Sequence, residues 1–158
     1  MKVAIVILNW NGKEHLKKYL PYVVKYTDTS KAEIIVADNG SADDSVIFLK
    51  DNYPEIRVVQ LDNNYGFAGG YNKALSYVEA DIFCLLNSDV RVTKGWLDQI
   101  FKIFSENNNI GAIQPKILSD RDNSKFEHAG AAGGFIDKYG YPFCRGRIMD
   151  VIEEDKGQ

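Results

Sequence analysis

Cysteine is scarce: the 158 residues hold two, Cys84 in an apolar run and Cys144 in a loop-like stretch. Two thiols so differently placed exclude a disulfide scaffold and a cysteine metal cluster, and they suit a reducing cytoplasm. Long hydrophobic runs are missing as well. The amino-terminal MKVAIVILNWNGKE carries six consecutive apolar residues before Asn9 and Trp10, shorter than a signal-peptide core and far short of a membrane span. Positive charge is not in excess, with a formal net charge of -3 and scattered Lys and Arg, so nucleic-acid binding is set aside. Glycine is absent where the familiar nucleotide loops require it. The turn NWNGKE has a single glycine where a dinucleotide site needs G-x-G-x-x-G, and Gly12-Lys13 runs into Glu14 instead of the Ser or Thr of a P-loop. No G-x-S-x-G elbow, no His and Cys pair at metal-like spacing and no internal repeat is present.

What is there is enough for one core: 45% of the residues are hydrophobic and 12% aromatic. Short apolar runs at 3–8, 33–37, 56–61, 81–86 and 110–113 read as strands covered on both faces. Between them the helical period returns, in Leu16, Tyr19, Leu20, Val23 and Val24, in Phe67, Tyr71, Ala74, Leu75 and Val78, and in Leu97, Ile100, Phe101 and Phe104. Ser41 and Asp44 suit a capping arrangement for a helix over 42–52, and Thr93 suits the cap of one containing Trp96. Pro21 predicts a kink or an early end in the first helix. Alternating strands and helices imply an α/β fold, a three-layer α/β/α sandwich around a mostly parallel central sheet.

In such a sheet the informative polar residues lie just past the carboxyl ends of the strands. Four clusters stand there: NWNG, DNGSADD, DNNYGFAGGYN and NSD. Any one of them suits an ordinary turn or cap; four opening on one edge point to a ligand. Asp38 ends the second run, where a carboxylate accepts hydrogen bonds from a pyrimidine ring N–H or a ribose hydroxyl, or caps the next helix. Asp89 leaves the core directly after Phe83-Cys84-Leu85-Leu86, and hard divalent ions bind through one or two carboxylates plus substrate phosphates. His15 falls on the exposed side of the first helix, and a local hydrogen bond is the simpler role for His128.

Taken in order, VAIVILNWNG, EIIVADNGSADDS, NNYGFAGGYNKAL and CLLNSDV resemble the nucleotide-binding half of a family 2 glycosyltransferase with the Rossmann-like GT-A fold. The GFAGGYN and NSD forms and the downstream HAGAAGGFIDKYGYP resemble the bacterial rhamnosyltransferase-like branch. The resemblance implies a nucleotide-sugar-binding part over 1–118, then the start of an acceptor-side region and a charged, solvated tail over 119–158. It implies that Leu8, Asn9 and Trp10 line the base and ribose pocket, that Asp38 bonds the pyrimidine, and that Gly66 and Asn72 lie beside the nucleotide, Asn72 opening the helix after the glycine-rich turn. Asn87, Ser88 and Asp89 occupy the family's D-x-D motif, Asp89 holding a divalent cation, Mg2+ or Mn2+, on the diphosphate. Asn87 stands where the first aspartate is usual, and Gly66 where some relatives carry an arginine.

The activity so implied is transfer of a sugar from a UDP- or dTDP-linked donor to a hydroxyl of a glycan or lipid-linked acceptor. It would take place in the cytoplasm, with peripheral membrane association through the acceptor. The family's base, an Asp or Glu of the acceptor half, is expected beyond residue 158, which leaves a non-catalytic nucleotide-binding or interaction module as the alternative. A nucleotidyltransferase shares the carboxylate logic but begins with a basic, glycine-rich loop, which NWNGKE is not.

Overall fold

The computed structural model describes residues 1–127, 134–144, 147–148, 151–152 and 154. They fall into two compact units, Met1–Gln99 and Ile100–Gln158.

In the first unit, aliphatic and β-branched residues build a strand fit for burial on both sides. This is β1 (Val3–Asn9), where Ala4, Ile5 and Val6 are fully buried. It pairs in parallel with β2 (Ala32–Asp38) on one side and β4 (Ile82–Asn87) on the other, and β2 pairs in parallel with β3 (Arg57–Gln60). The order is therefore β3-β2-β1-β4. Helices α1 (Lys13–Tyr26), α2 (Ser45–Asn52) and α3 (Gly66–Leu75) connect the strands. Right-handed crossovers put α1 and α2 on one face, because β1 to β3 steps one way, and α3 on the other, because the chain then returns across β1 to β4. The packing agrees. Tyr71 and Ala74 of α3 bury against Ala4, Val6, Ile35, Ala37 and Val59, while α1, which contributes buried Leu16, Leu20 and Val23, touches α2.

Several local expectations change. Phe83 and Leu85 share the α3 face with Ala4 and Val6, yet are 39% and 52% exposed. The helix packs over β1 and β2, so β4 is not covered on both sides. Phe67, in the first turn of α3, keeps to the expected stripe, its ring edge-on to that of Tyr71 at 5.1 Å, yet it is 65% exposed. The run 110–113 forms no strand, having no paired neighbour; four apolar residues do not specify a ladder partner.

Nor does Pro21 end α1, which continues to Tyr26. The carbonyl freed by the missing proline N–H is that of exposed Lys17, where water can serve it. At α2 it is Asp43, not Ser41, whose carboxylate accepts the Ser45 N–H, at 3.0 Å. Thr93 acts through its carbonyl, which accepts from Trp96 N at 3.2 Å, in a turn that precedes α4 (Asp98–Glu106).

In the second unit β5 (Gly134–Ile136) pairs antiparallel with β6 (Pro142–Cys144), and β7 (Arg147–Ile148) with β8 (Val151–Ile152). Single bridges join Leu118 to Phe126 and Lys125 to Glu154. The charged stretch expected as a solvated tail thus carries paired backbone, since its Val151 and Ile152 can extend as a strand. His128, Glu153 and Asp155 lie outside the described residues. Among the described residues no helix is long and apolar enough to cross a membrane.

Candidate functional site

The strand order reverses at β1, with β2 and β3 on one side and β4 on the other, which opens a crevice beyond the carboxyl ends of β1 and β4. Register fixes what meets there. Asn9 pairs with Asp38 and Leu8 with Asn87, so Asp38, Asn9 and the residue after Asn87 form a row across three strands. Its outer members are about 10 Å apart, two strand spacings.

The floor of this row is buried and polar. Asn9 is 0% exposed, and its Nδ2 donates to Asp38 Oδ1 at 3.1 Å and to Ser41 Oγ at 3.2 Å. Asp38 is 2% exposed, and its Oδ2 accepts the Ser41 N–H at 3.0 Å. A carboxylate so deep is tolerable only when donors replace water, and here they do. The two residues therefore underlie the crevice rather than wall it. Among the described residues Asn9 Oδ1 has no hydrogen-bond partner. A Cβ on Gly12 would fall 2.4 Å from that oxygen and 3.6 Å from Ser88 Oγ, so this glycine lets the first turn close over Asn9. Asn11, at φ 50, turns its Oδ1 to the N–H groups of Ala42 and Asp43, at 2.7 and 3.3 Å, and its own N–H donates to Ser41 Oγ at 2.9 Å. The β1–α1 and β2–α2 turns are thereby knitted together. Burial alone would raise the Asp43 carboxyl, but the Ser45 hydroxyl and the backbone N–H groups of Lys13 and Ser45 outweigh it and hold that group below the usual carboxylate value.

The accessible part of the site lies above. Trp10 is 56% exposed directly after β1, and Leu8 is half-buried against the α3-side core. β4 ends in a turn closed by Val90 N donating to Asn87 O at 3.4 Å, with Ser88 and Asp89 at its tip. Asn87 and Asp89 are exposed, and among the described residues Asp89 has no hydrogen-bond or ion-pair partner. Tyr71, whose hydroxyl donates to Leu86 O at 3.0 Å, sits beneath this turn. Burial pushes its phenol up to about 12, with smaller contributions from the Cys84 and Asp89 charges.

Oxygen donors of three kinds, a carboxylate, an amide and a hydroxyl, thus project from one turn, a set suited to a hard divalent ion. No group of three or more His, Cys, Asp or Glu gathers among the described residues. Any ion held here would complete its coordination with ligand oxygens.

Gly66 opens α3 at φ 70 with nothing within 4 Å of its Cβ position. Asn72, expected to open that helix, is instead its seventh residue, about 9 Å farther along the axis. The glycine-rich stretch is itself the first turns of the helix. The reason lies in a residue that the sequence reading passed over, Asn39. It is 2% exposed, and its side chain bonds Asn64, Tyr65 and Gly66 while Gly70 packs against it. DNG reads as a plain turn, and nothing in its spelling marks the amide as buried.

The family model for glycosyl transferase family 2 matches residues 4–152. The chain belongs to glycosyl transferase family 2. Among curated relatives of this family 2 chain is an N-acetylglucosaminyl-diphospho-decaprenol L-rhamnosyltransferase of Mycobacterium tuberculosis, 23% identical over 138 residues, which are 80% of this chain and 44% of that protein. Two solved structures share its fold. The crystal structure of S. aureus TarS with UDP-GlcNAc matches at TM-score 0.60 and 21% identity, over 75% of this chain and 39% of that one. The mannosyltransferase PcManGT of Pyrobaculum calidifontis, with GDP-Man and Mn2+, matches at TM-score 0.65 and 18% identity, over 76% and 36%. The fold is the GT-A glycosyltransferase fold. The family 2 chain spans 16% to 44% of the lengths of the curated relatives that it matches.

Proposed function

We propose that the chain binds a nucleotide-diphosphate sugar across the carboxyl ends of β1 and β4 and presents its anomeric carbon for transfer to an acceptor hydroxyl. The observation that carries this reading is Asp89: an exposed carboxylate, unpaired among the described residues, at the tip of a turn beside the point where the strand order reverses. Structures of the same fold with UDP-GlcNAc and with GDP-Man and Mn2+ support a donor of this class.

In this reading Trp10 stacks on the base or ribose, and Leu8 closes the apolar side. Asp38 is the polar floor beneath the pyrimidine, its remaining lone pairs reachable by a ring N–H, and Asn9 holds that carboxylate in place. Gly66 leaves room for the nucleotide at the start of α3, and Asn72 meets the donor only at a remove along the helix. A Mg2+ or Mn2+ held at Asp89, with Asn87 and Ser88 beside it, supplies Lewis-acid neutralisation of the diphosphate. The protein's own part is to bind and orient. The acceptor oxygen forms a bond to the anomeric carbon, the bond from that carbon to the diphosphate oxygen breaks, and its electron pair leaves with the nucleotide diphosphate. The hydroxyl proton passes to a base. A glycan or lipid-linked acceptor in bacterial polysaccharide synthesis, with work at the cytoplasmic face of a membrane, is the setting that the decaprenol-linked relative supports.

Calorimetric titration with UDP, dTDP and GDP, with and without Mn2+, tests the proposal on wild type and Asp89→Ala. Binding that Mn2+ strengthens at least about tenfold, a difference worth ~1.4 kcal/mol, and that the substitution returns to the metal-free level, is the expected result. A wild type that binds none of the three nucleotides overturns it.

A further inference from the structure

We propose that Asn39 is a positioning residue for nucleotide binding: its buried amide latches the turn before α3 to the end of β2 and so sets the affinity of the donor site without touching the ligand. The inference rests on the donor-site reading and adds to it a residue that this reading does not use.

Asn39 is the first residue beyond β2, and its backbone N–H donates to Asn9 O at 2.8 Å, which anchors it to the central strand. Its side chain then reaches across to a different loop. Nδ2 donates to Asn64 Oδ1 at 2.9 Å and to Gly66 O at 3.0 Å, and Oδ1 accepts the Tyr65 N–H at 3.0 Å. Both amide protons are thereby used. Asn64 Oδ1 also accepts the Gly66 N–H at 2.8 Å, so Asn39 and Asn64 together hold Tyr65 and Gly66 from both sides. The backbones close in as well. A Cβ at Gly40 would lie 2.6 Å from the Asn63 carbonyl carbon, and one at Gly70 would lie 2.8 Å from Asn39 Nδ2. Two glycines thus admit the contact and one buried amide fastens it.

The consequence follows from where the fastened turn points. Tyr65 and Gly66 are exposed, and the Cβ side of Gly66 faces open space, whereas Asn39 is buried and faces the loop. A ligand beside Gly66 meets a surface whose shape Asn39 holds. Removing the donor amide frees the turn, so binding must first order it again. An aspartate at position 39 keeps the size and the Tyr65 acceptor but loses both donors, and it turns a carboxylate toward Asn64 Oδ1 and Gly66 O. Filling space is therefore separable from latching.

The test compares wild type, Asn39→Asp, Asn64→Ala and the core variant Val23→Ala, in which a buried α1 side chain far from the turn is shortened. UDP affinity in the presence of Mn2+ is read with amide hydrogen exchange at Tyr65 and Gly66, below every unfolding midpoint. Asn39→Asp is expected to weaken UDP binding about tenfold and to speed the Gly66 amide by a similar factor, with a smaller change at Tyr65, whose acceptor it keeps. Asn64→Ala, at an exposed position whose loss leaves the core intact, should do the same at Gly66. Val23→Ala should lower stability and change neither readout. Wild-type UDP affinity in Asn39→Asp, or an equal loss in Val23→Ala, overturns the proposal while the donor site stands. A wild type that binds no nucleotide diphosphate overturns both.

Discussion

Asn9 and Asp38 face one another across the β1–β2 pairing, and the Asn9 amide donates to the Asp38 carboxylate at 3.1 Å where neither is more than 2% exposed. A buried carboxylate that loses a donor keeps its full desolvation cost. Asn9→Ala should therefore lower the unfolding free energy by about 2 kcal/mol in urea titration. Asn9→Asp should be worse at neutral pH, because two carboxylates then share the contact. An Asn9→Asp variant as stable as wild type at pH 7 would contradict this.

Gly40 and Gly66 both adopt positive φ, 71 and 70, yet differ in surroundings. At Gly40 a methyl group meets the Asn63 backbone at 2.6 Å, while at Gly66 it meets nothing within 4 Å. Gly66→Ala should cost about 1 kcal/mol of backbone strain alone, and Gly40→Ala about 3 kcal/mol or more, because a rigid neighbour must also move. Equal losses in thermal or urea unfolding would show that the two loops do not press together.

Tyr71 joins α3 to the carboxyl end of β4 through Leu86 O. Its phenol is raised from 10.0 to about 12, chiefly by burial, so the folded state favours the neutral form. That contribution is intact below pH 10 and is lost as pH climbs from there toward 12. Spectrophotometric titration should show a late tyrosine step near pH 12 that is absent in Tyr71→Phe, whereas Tyr53, also raised by burial, keeps its own step. The variant should lose about 1 kcal/mol at neutral pH and show less alkaline destabilisation than wild type.

Trp10 and Trp96 are the two tryptophans. Trp10 is 56% exposed at the crevice, whereas the indole nitrogen of Trp96 is buried without a partner among the described residues. If the base stacks on Trp10, UDP should quench its emission in proportion to occupancy, and Trp10→Phe should abolish the change while leaving the unfolding midpoint in place. Trp10→Ala should weaken binding by about fivefold to tenfold, the worth of one base–aromatic stack.

The first four strands were legible because apolar runs ended by turn residues mark them, interrupted in β3 by Arg57 and Gln60, and the polar clusters beyond them were legible because parallel strands deliver their ends to one side. The run 110–113 misled because a short run with a glycine and an alanine at its centre, both exposed, specifies neither burial nor pairing. Asn72 misled for a different reason. Glycines suggest a turn, and the helical state of Gly69 and Gly70 follows from a tertiary contact: at Gly70 the second turn of α3 must pass Asn39, and the absent side chain outweighs the propensity cost of about 1 kcal/mol. Asn39 itself was invisible for the matching reason, since a buried amide and a turn amide are spelled alike. The exposure of Asp89 follows from its neighbours; its freedom from ion pairs among the described residues depends on chain geometry that spacing does not encode.

The contact of Gly40 with Asn63, main chain on main chain, bears on how such a rim can diversify. Two loops that touch along their backbones cannot change length independently, so an insertion in either is resisted whatever residues it brings. Projections such as Trp10, Phe67 and Asn87 carry no such constraint. New ligand preferences at this end should therefore arise by swapping what stands on the rim, with the rim itself kept as a template of fixed contour.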